Sequence, residues 1–85
     1  MNLVGAQLKR VNLSYVNLSG ADMRGANLTA ANLSHANLHE AILTGANLTE
    51  ANLTGVNLSQ TQIHEVNFSR AILYGAIMPD EAINT

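Results

Sequence analysis

The fold is decided by three near-identical five-residue units, ANLTA, ANLSH and ANLHE, which occupy residues 26–40. Outward from this stretch, a large apolar residue recurs at every fifth position from Leu3 to Ile83 without exception. The residue two places before it is mostly Ala or Val, and the residue between them is mostly Asn. The unit is therefore small, Asn, large apolar, polar, variable, which we number as positions 1 to 5. A fixed period of this kind determines the architecture before any single motif does.

The five-residue period fits neither ordinary secondary-structure element. In an α-helix each residue turns about 100°, so residues five apart share no face. In a straight strand side chains alternate, so an odd period would send successive large residues to opposite faces. The chain must therefore turn once per unit, and right-angled turns close a square coil after four units. We predict that residues 20 apart stack and pair as parallel ladders, at roughly 4.8 Å per coil.

The remaining positions agree with such a coil. All the glycines fall at position 5, where a corner requires a residue that tolerates positive φ; they are Gly5, Gly20, Gly25, Gly45, Gly55 and Gly75. Large and small inward residues alternate, which allows a narrow interior to fill without voids. One predicted column carries only carboxamides, and we expect its members to hydrogen-bond along the coil axis; they are Gln7, Asn27, Asn47 and Asn67.

The repeat resembles the A-(D/N)-L-x-x unit of the pentapeptide-repeat family. The best matches are Ala26-Asn27-Leu28-Thr29, Ala31-Asn32-Leu33-Ser34 and Ala51-Asn52-Leu53-Thr54, and the resemblance runs from about Leu3 to Met78. It implies an all-β fold, a right-handed quadrilateral β-helix solenoid of about four coils. The handedness is implied by the resemblance alone, because the spacing does not encode it.

Departures from the family unit are local. The interior unit 61–65 is the least typical, and Ile replaces the usual Asn or Asp at Ile42, Ile72 and Ile77. The closing stretch 77–80 resembles the ends of cyanobacterial members. We interpret the chain as a single domain, 1–85, with repeats over about 2–78 and a C-terminal closing segment, 79–85.

The closing segment carries two stop signals. Pro79 has no N–H to donate to a ladder, and Glu81 puts a charge where Ala usually stands. Repeat folds normally need covered ends. We therefore expect an end to be covered, either by self-association or by further chain in a longer protein.

Composition excludes several classes of function. There is no cysteine, hence no disulfide framework or thiol chemistry. No apolar run is long enough for a membrane span, and no signal-peptide pattern opens the chain, so we expect a cytoplasmic protein without membrane contact. The net charge of −2 and the scarcity of aromatic residues argue against direct nucleic-acid binding.

The ionisable residues form no catalytic or metal-binding pattern. The acidic residues Glu40, Glu50 and Glu65 lie on corners, and we expect Glu50 to form a surface ion pair with Arg70, 20 residues away. The histidines, His35, His39 and His64, fall on different faces of the predicted coil. We therefore predict no enzymatic activity, no cofactor and no metal site.

Outward-facing apolar residues give the candidate interface, which comprises Ile72, Tyr74, Ile77 and Met78 near the C-terminal end. Tyr15 and His35 share a column, and we expect their rings to stack. Charge is uneven along the chain, with an excess of basic residues in 1–24 and of acidic residues in 25–85. This asymmetry suggests end-to-end self-association that salt would weaken.

Three functions are compatible with these features. The leading hypothesis is a non-catalytic protein–protein interaction or scaffold module with an unknown protein partner. The resemblance also implies an alternative, a DNA-mimicking protein that binds DNA gyrase, although the low net charge argues against it. A further alternative is a structural spacer from a longer protein.

Overall fold

The computed structural model describes residues 1–79. Within these residues there is no helix and no continuous strand; each unit has a single bridging residue at position 2 and a turn at positions 4 and 5. Twelve parallel bridges, from Asn2–Asp22 to Asn57–Ile77, each join residues 20 apart. Each turn of the chain therefore takes 20 residues, and the predicted parallel stacking is confirmed. The coils are numbered 1 to 4 and comprise 1–20, 21–40, 41–60 and 61–79.

Every corner is a hydrogen-bonded turn. The N–H at position 1 donates to the position 3 carbonyl of the preceding unit, as from Ala31 to Leu28 at 3.0 Å. Position 5 has φ between 57° and 73° in all fifteen units up to Gly75. A positive φ at the third residue of such a turn is the feature of a type II β-turn. Nine of these residues are not glycine, so the repeat imposes the left-handed conformation on ordinary side chains.

The core consists of the inward residues at positions 1 and 3. In coils 2 and 3 the large residues are completely buried, from Met23 to Leu58. Most inward residues of coil 1 and coil 4 are only partly buried against this cluster; among them are Leu3, Leu8, Ile63 and Phe68. Large and small residues alternate, and no buried side-chain polar atom of residues 1–79 lacks a hydrogen-bond partner. The predicted interior packing is present, and it is complete only in the two middle coils.

The Asn side chain at position 2 forms hydrogen bonds within its own unit. In eleven units the Oδ1 atom of Asn, or of Asp22, accepts the backbone N–H two residues later, as between Asn32 and Ser34 at 3.0 Å. The predicted axial amide bonding is largely wrong. In that column only Asn27 Nδ2 donates to Gln7 Oε1, at 3.3 Å. The short Asn side chain reaches its own turn more easily than the next coil.

Positions 2, 4 and 5 point outward and form four faces, each containing one unit from every coil. Face 1 comprises 1–5, 21–25, 41–45 and 61–65. Face 2 comprises 6–10, 26–30, 46–50 and 66–70. Face 3 comprises 11–15, 31–35, 51–55 and 71–75. Face 4 comprises 16–20, 36–40, 56–60 and 76–79.

Candidate functional site

Face 3 is the uncharged face of the described chain. None of its twenty residues is Asp, Glu, Lys or Arg, whereas each of the other three faces carries at least one such residue within 1–79. Three charged residues border face 3 without belonging to it. They stand at the corner where face 2 meets face 3 and are Arg10, Glu50 and Arg70. The desolvation penalty that charged groups impose on binding is therefore absent from the centre of face 3.

Three of the five large exposed hydrophobic side chains of residues 1–79 also lie on face 3. Tyr15 is 76% exposed, Ile72 51% and Tyr74 67%; the other large exposed hydrophobic residues, Met1 and Val4, belong to the first unit of face 1. Exposed apolar residues that are clustered usually mark an interaction site. Face 3 therefore combines lack of charge with exposed aromatic groups.

The structure separates the four residues of the candidate interface. Ile72 and Tyr74 share face 3, as predicted, whereas Ile77 lies half-buried on face 4 and bridges to Asn57. Met78 occupies position 3 and packs against the core. An inward Met contributes to packing, so the exposed part of the predicted patch is Ile72 with Tyr74.

Tyr15 and His35 form a stack on the edge of face 3. Their ring centroids are 5.0 Å apart with an interplanar angle of 20°, which confirms the predicted pair. The His35 ring also covers Gly55, because a Cβ added at Gly55 would lie 2.6 Å from His35 Nδ1. The three residues form one continuous stack along the corner, and the glycine leaves room for the imidazole.

The polar residues of face 3 form one column of donors and one of acceptors. The Oδ1 atoms of Asn12, Asn32 and Asn52 each accept both the N–H and the hydroxyl of the residue two places on, with hydroxyl distances of 2.7, 2.8 and 2.7 Å. Within residues 1–79 the Nδ2 groups of these Asn residues donate to no protein atom. The hydroxyls of Ser14, Ser34 and Thr54 donate their protons in these bonds, so they offer only lone pairs to another molecule.

Face 4 carries a polar cluster that the sequence did not suggest. His39 Nδ1 lies 2.6 Å from Ser59 Oγ, and Ser59 Oγ donates to Asn57 Oδ1 at 2.6 Å. His39 Nε2 lies 3.5 Å from Glu40 Oε1. Since Ser59 donates its proton to Asn57, the His39 N–H is the donor in the first contact. The 20-residue spacing of His39 and Ser59 was the available signal, and the cluster links coil 2 to coil 3.

The predicted ion pair between Glu50 and Arg70 is wrong. Within residues 1–79 the ion pair between carboxylate and guanidinium is Arg24–Asp22, with an Nη2–Oδ2 distance of 2.6 Å. Glu50 and Arg70 have long, exposed side chains at corners, and fixing both would cost side-chain entropy that a surface pair recovers poorly. The shorter Asp22 side chain is close enough to bind Arg24 within one unit.

The Asp22–Arg24 contact shifts both titrations. The hydrogen bond from Arg24 holds the pKa of Asp22 below its ordinary value, and the same contact raises the pKa of Arg24. No cluster of three His, Asp or Glu side chains within residues 1–79 is arranged to hold a metal ion. The same residues include no helix that could span a membrane.

Comparison with known proteins agrees with this geometry. A family model described as pentapeptide repeats matches residues 1–29, 31–70 and 41–78, with eight copies. The solved structure of Rfr23, a pentapeptide repeat protein from the cyanobacterium Cyanothece 51142, is 38% identical with a TM-score of 0.83, over 84% of this chain and 48% of that one. A pentapeptide repeat protein from the Arabidopsis thaliana thylakoid lumen is 35% identical with a TM-score of 0.89, over 91% and 53%.

This chain spans about half the length of each of these two proteins. No curated protein matches it. The family model accounts for nearly all the described residues, and the two solved structures share both the repeat and the fold. The chain therefore belongs to the pentapeptide-repeat family.

Proposed function

We propose that this protein is a non-catalytic protein–protein interaction module that binds its partner through face 3. The observation that carries the proposal is the exposure of Tyr15, Ile72 and Tyr74 on a face without charged residues. The centres of protein interfaces are depleted in charge and enriched in aromatic residues. Tyr, Ser, Asn and Gly, which together with Thr make up most of the outward positions of face 3, are also the residues that dominate antibody paratopes.

The backbone of face 3 supports this role because hydrogen bonds hold it in place. Each unit bonds to the neighbouring coils and closes its own corner, as from Gly55 N–H to the Tyr74 carbonyl at 2.9 Å. A preorganised surface loses little conformational entropy on binding. We take the scaffold to be the right-handed, quadrilateral coil of about four turns typical of the family, acting in the cytoplasm.

The test is an affinity pull-down from native-source lysate with three baits. Tyr74→Ser removes an exposed apolar side chain at position 4 of face 3, and Val4→Ser makes the matched change at position 4 of face 1. Ser is a native residue at this position, as at Ser14, so both variants should fold. We expect a stoichiometric protein to be recovered by wild type and Val4→Ser and lost by Tyr74→Ser. Equal recovery by all three baits would contradict binding through face 3.

The DNA-mimicking alternative has less support from the surface. The acidic groups within 1–79 are dispersed: Asp22 is paired with Arg24, and Glu40, Glu50 and Glu65 stand at three different corners. Mimicry of DNA needs a continuous line of negative charge, because the duplex carries one for about every 1.7 Å of its length. Recovery of gyrase subunits in the pull-down would favour this alternative, and recovery of the bait alone would favour self-assembly or a spacer.

End-to-end self-association is a second mode of assembly that the partly buried inward residues of coils 1 and 4 favour. Stacking would complete their burial. The uneven charge along the chain predicts that such assembly weakens with salt. Light scattering at low and high salt tests it: a mass that does not change with salt would argue against charge-driven stacking.

A further inference from the structure

We propose that the occupant of face 3 is a second copy of this chain, related by a two-fold axis parallel to the axis of the coil stack. The proposal rests on the proposed function in taking face 3 as the binding surface, and it names the partner. A two-fold interface uses the same surface on both copies, so the surface must be complementary to itself. Face 3 meets this condition in its hydrogen bonding, its apolar residues and its shape.

The hydrogen-bonding columns are complementary under this axis. Rotation about this two-fold axis places each coil opposite the same coil of the second copy. It also places position 2 of one copy opposite position 4 of the other. The free Nδ2 donors of Asn32 and Asn52 then face the hydroxyl lone pairs of Ser34 and Thr54 on the second copy. Asn12 and Ser14 pair in the same way. Because the symmetry repeats each pair, three coils provide six matched contacts.

The apolar residues coincide under the same operation. Ile72 of one copy falls opposite Tyr74 of the other, and the reverse pair forms beside it, so two half-exposed patches become one covered cluster. At the edge, Tyr15 lies opposite Arg10, a pairing that favours a cation–π contact. His35 lies opposite Ala30, the smallest non-glycine corner residue of face 2.

The opposite arrangement is chemically mismatched. A two-fold axis along the bridging segments would keep position 2 opposite position 2 and bring coil 1 against coil 4. The amide donors of Asn32 would then face those of Asn52, and Ile72 would face the polar Asn12. His35 already leans along this edge over Gly55, so the two imidazoles would meet at the same place on the edge and collide. The parallel arrangement is therefore the one that the surface fits.

The available area sets the expected strength. The Cα positions extend over 28 × 23 × 21 Å, and four coils at roughly 4.8 Å make one face only a small interface. Interfaces at the low end of the size range are weak and reversible. Since the centre of face 3 has no charge, the dimer should persist at high salt, unlike charge-driven end-to-end stacking.

Sedimentation equilibrium over a range of concentrations at low and high salt tests the dimer. We expect the mass to rise from that of the 9.0 kDa chain to twice that value with increasing concentration at both salts. Thr54→Lys places a charge at the centre of face 3 and should abolish the rise. Thr49→Lys is the matched control on face 2, since both threonines bond the Asn two residues before.

Both variants should fold, because Lys9 occupies the same position natively. Circular dichroism checks that they fold, and Tyr74→Ser is a second variant that should also weaken the dimer. A monomer at all concentrations, or equal dimerisation by Thr54→Lys and Thr49→Lys, would overturn the proposal. A monomeric chain that still captures another protein through Tyr74 would overturn the second copy as occupant but leave the proposed function intact. If the wild-type chain neither dimerises nor captures another protein through face 3, the dimer and the proposed function are both refuted.

Disulfide cross-linking tests the direction of the axis, because the chain has no native cysteine. Asn52→Cys is mixed with Thr54→Cys in one oxidation and with Asn32→Cys in another. The parallel arrangement brings residues 52 and 54 of different copies together, and it keeps residues 52 and 32 of different copies one coil apart and on opposite sides of the two-fold axis. We expect preferential linkage in the first mixture, and preferential linkage in the second would contradict the arrangement.

Discussion

Asn at position 2 illustrates how far a residue pattern can be interpreted. The sequence predicted that Asn side chains stack 20 residues apart, which is confirmed, but it assigned their hydrogen bonds to the wrong direction. Periodicity places a residue on a column without fixing the rotamer of its side chain. The competition between a local turn and the next coil is decided by reach, and for Asn the local N–H is within reach.

The local bonds predict the effect of removing one Asn side chain. Asn47→Ala deletes the acceptor of both the Thr49 N–H and the Thr49 hydroxyl. We expect a loss of about 1–2 kcal/mol in the free energy of unfolding, since each net hydrogen bond contributes about 0.5–1.5 kcal/mol. Asn47→Asp keeps the acceptor, as Asp22 does natively, and should be nearly neutral. Urea unfolding measures both, and equal destabilisation would contradict the bonding.

The Asp22–Arg24 pair predicts a pH dependence. Because Arg24 lowers the pKa of Asp22, the folded state binds the proton less readily than the unfolded state. The stabilisation is therefore present above the ordinary pKa of the carboxyl and is lost as pH falls through the lowered value. We expect Asp22→Asn to be slightly less stable than wild type near neutral pH and equal to it in strong acid. Urea midpoints across pH measure this, and a constant difference would contradict the pair.

At the scale of the element, the turn at the corner is the feature that recurs in every coil. The spacing predicted a turn at position 5 and assigned the six glycines to it, and both predictions are confirmed. It did not predict that nine residues other than glycine would adopt the same positive φ. Propensity disfavours this conformation for an ordinary residue, but the hydrogen bond that closes the corner and the ladder bonds between coils override it. The right-handed sense of the coil follows from the family resemblance and stays a prediction.

Two glycines at the corners form a matched experiment. Gly25 and Gly55 have φ of 67° and 65°, but an added Cβ meets nothing within 4 Å at Gly25 and meets the His35 ring at Gly55. We expect Gly25→Ala to cost about 1 kcal/mol from the backbone alone. Gly55→Ala should cost about 0.5–1.5 kcal/mol more, because it displaces His35 from its stack with Tyr15.

A double-mutant cycle identifies the origin of that difference. In a His35→Ala background, Gly55→Ala should cost no more than Gly25→Ala, because the displaced ring is absent. Thermal and urea unfolding provide the free energies. An undiminished excess cost at Gly55 would show that the stack is not its cause.

At the scale of the whole molecule, the sequence predicted the stacking of coils, the buried interior and the position of Ile72 and Tyr74 on a common face. It did not predict that face 3 as a whole is free of charge and self-complementary. That property depends on which hydroxyl protons and amide groups the local turns use, and composition does not reveal this. The predicted Glu50–Arg70 pair failed for a related reason, because neighbouring columns do not determine where long side chains rest.

The central claim is that two copies of this chain pair through face 3, and the Asn side chains of this face provide direct probes. We would record the side-chain amide signals of the ¹⁵N-labelled chain by NMR over a range of concentrations. We expect the signals of Asn32 and Asn52 to shift with concentration, while those of Asn47 and Asn67, at the same position on face 2, stay constant. Constant signals on face 3, or equal shifts on the two faces, would contradict the dimer.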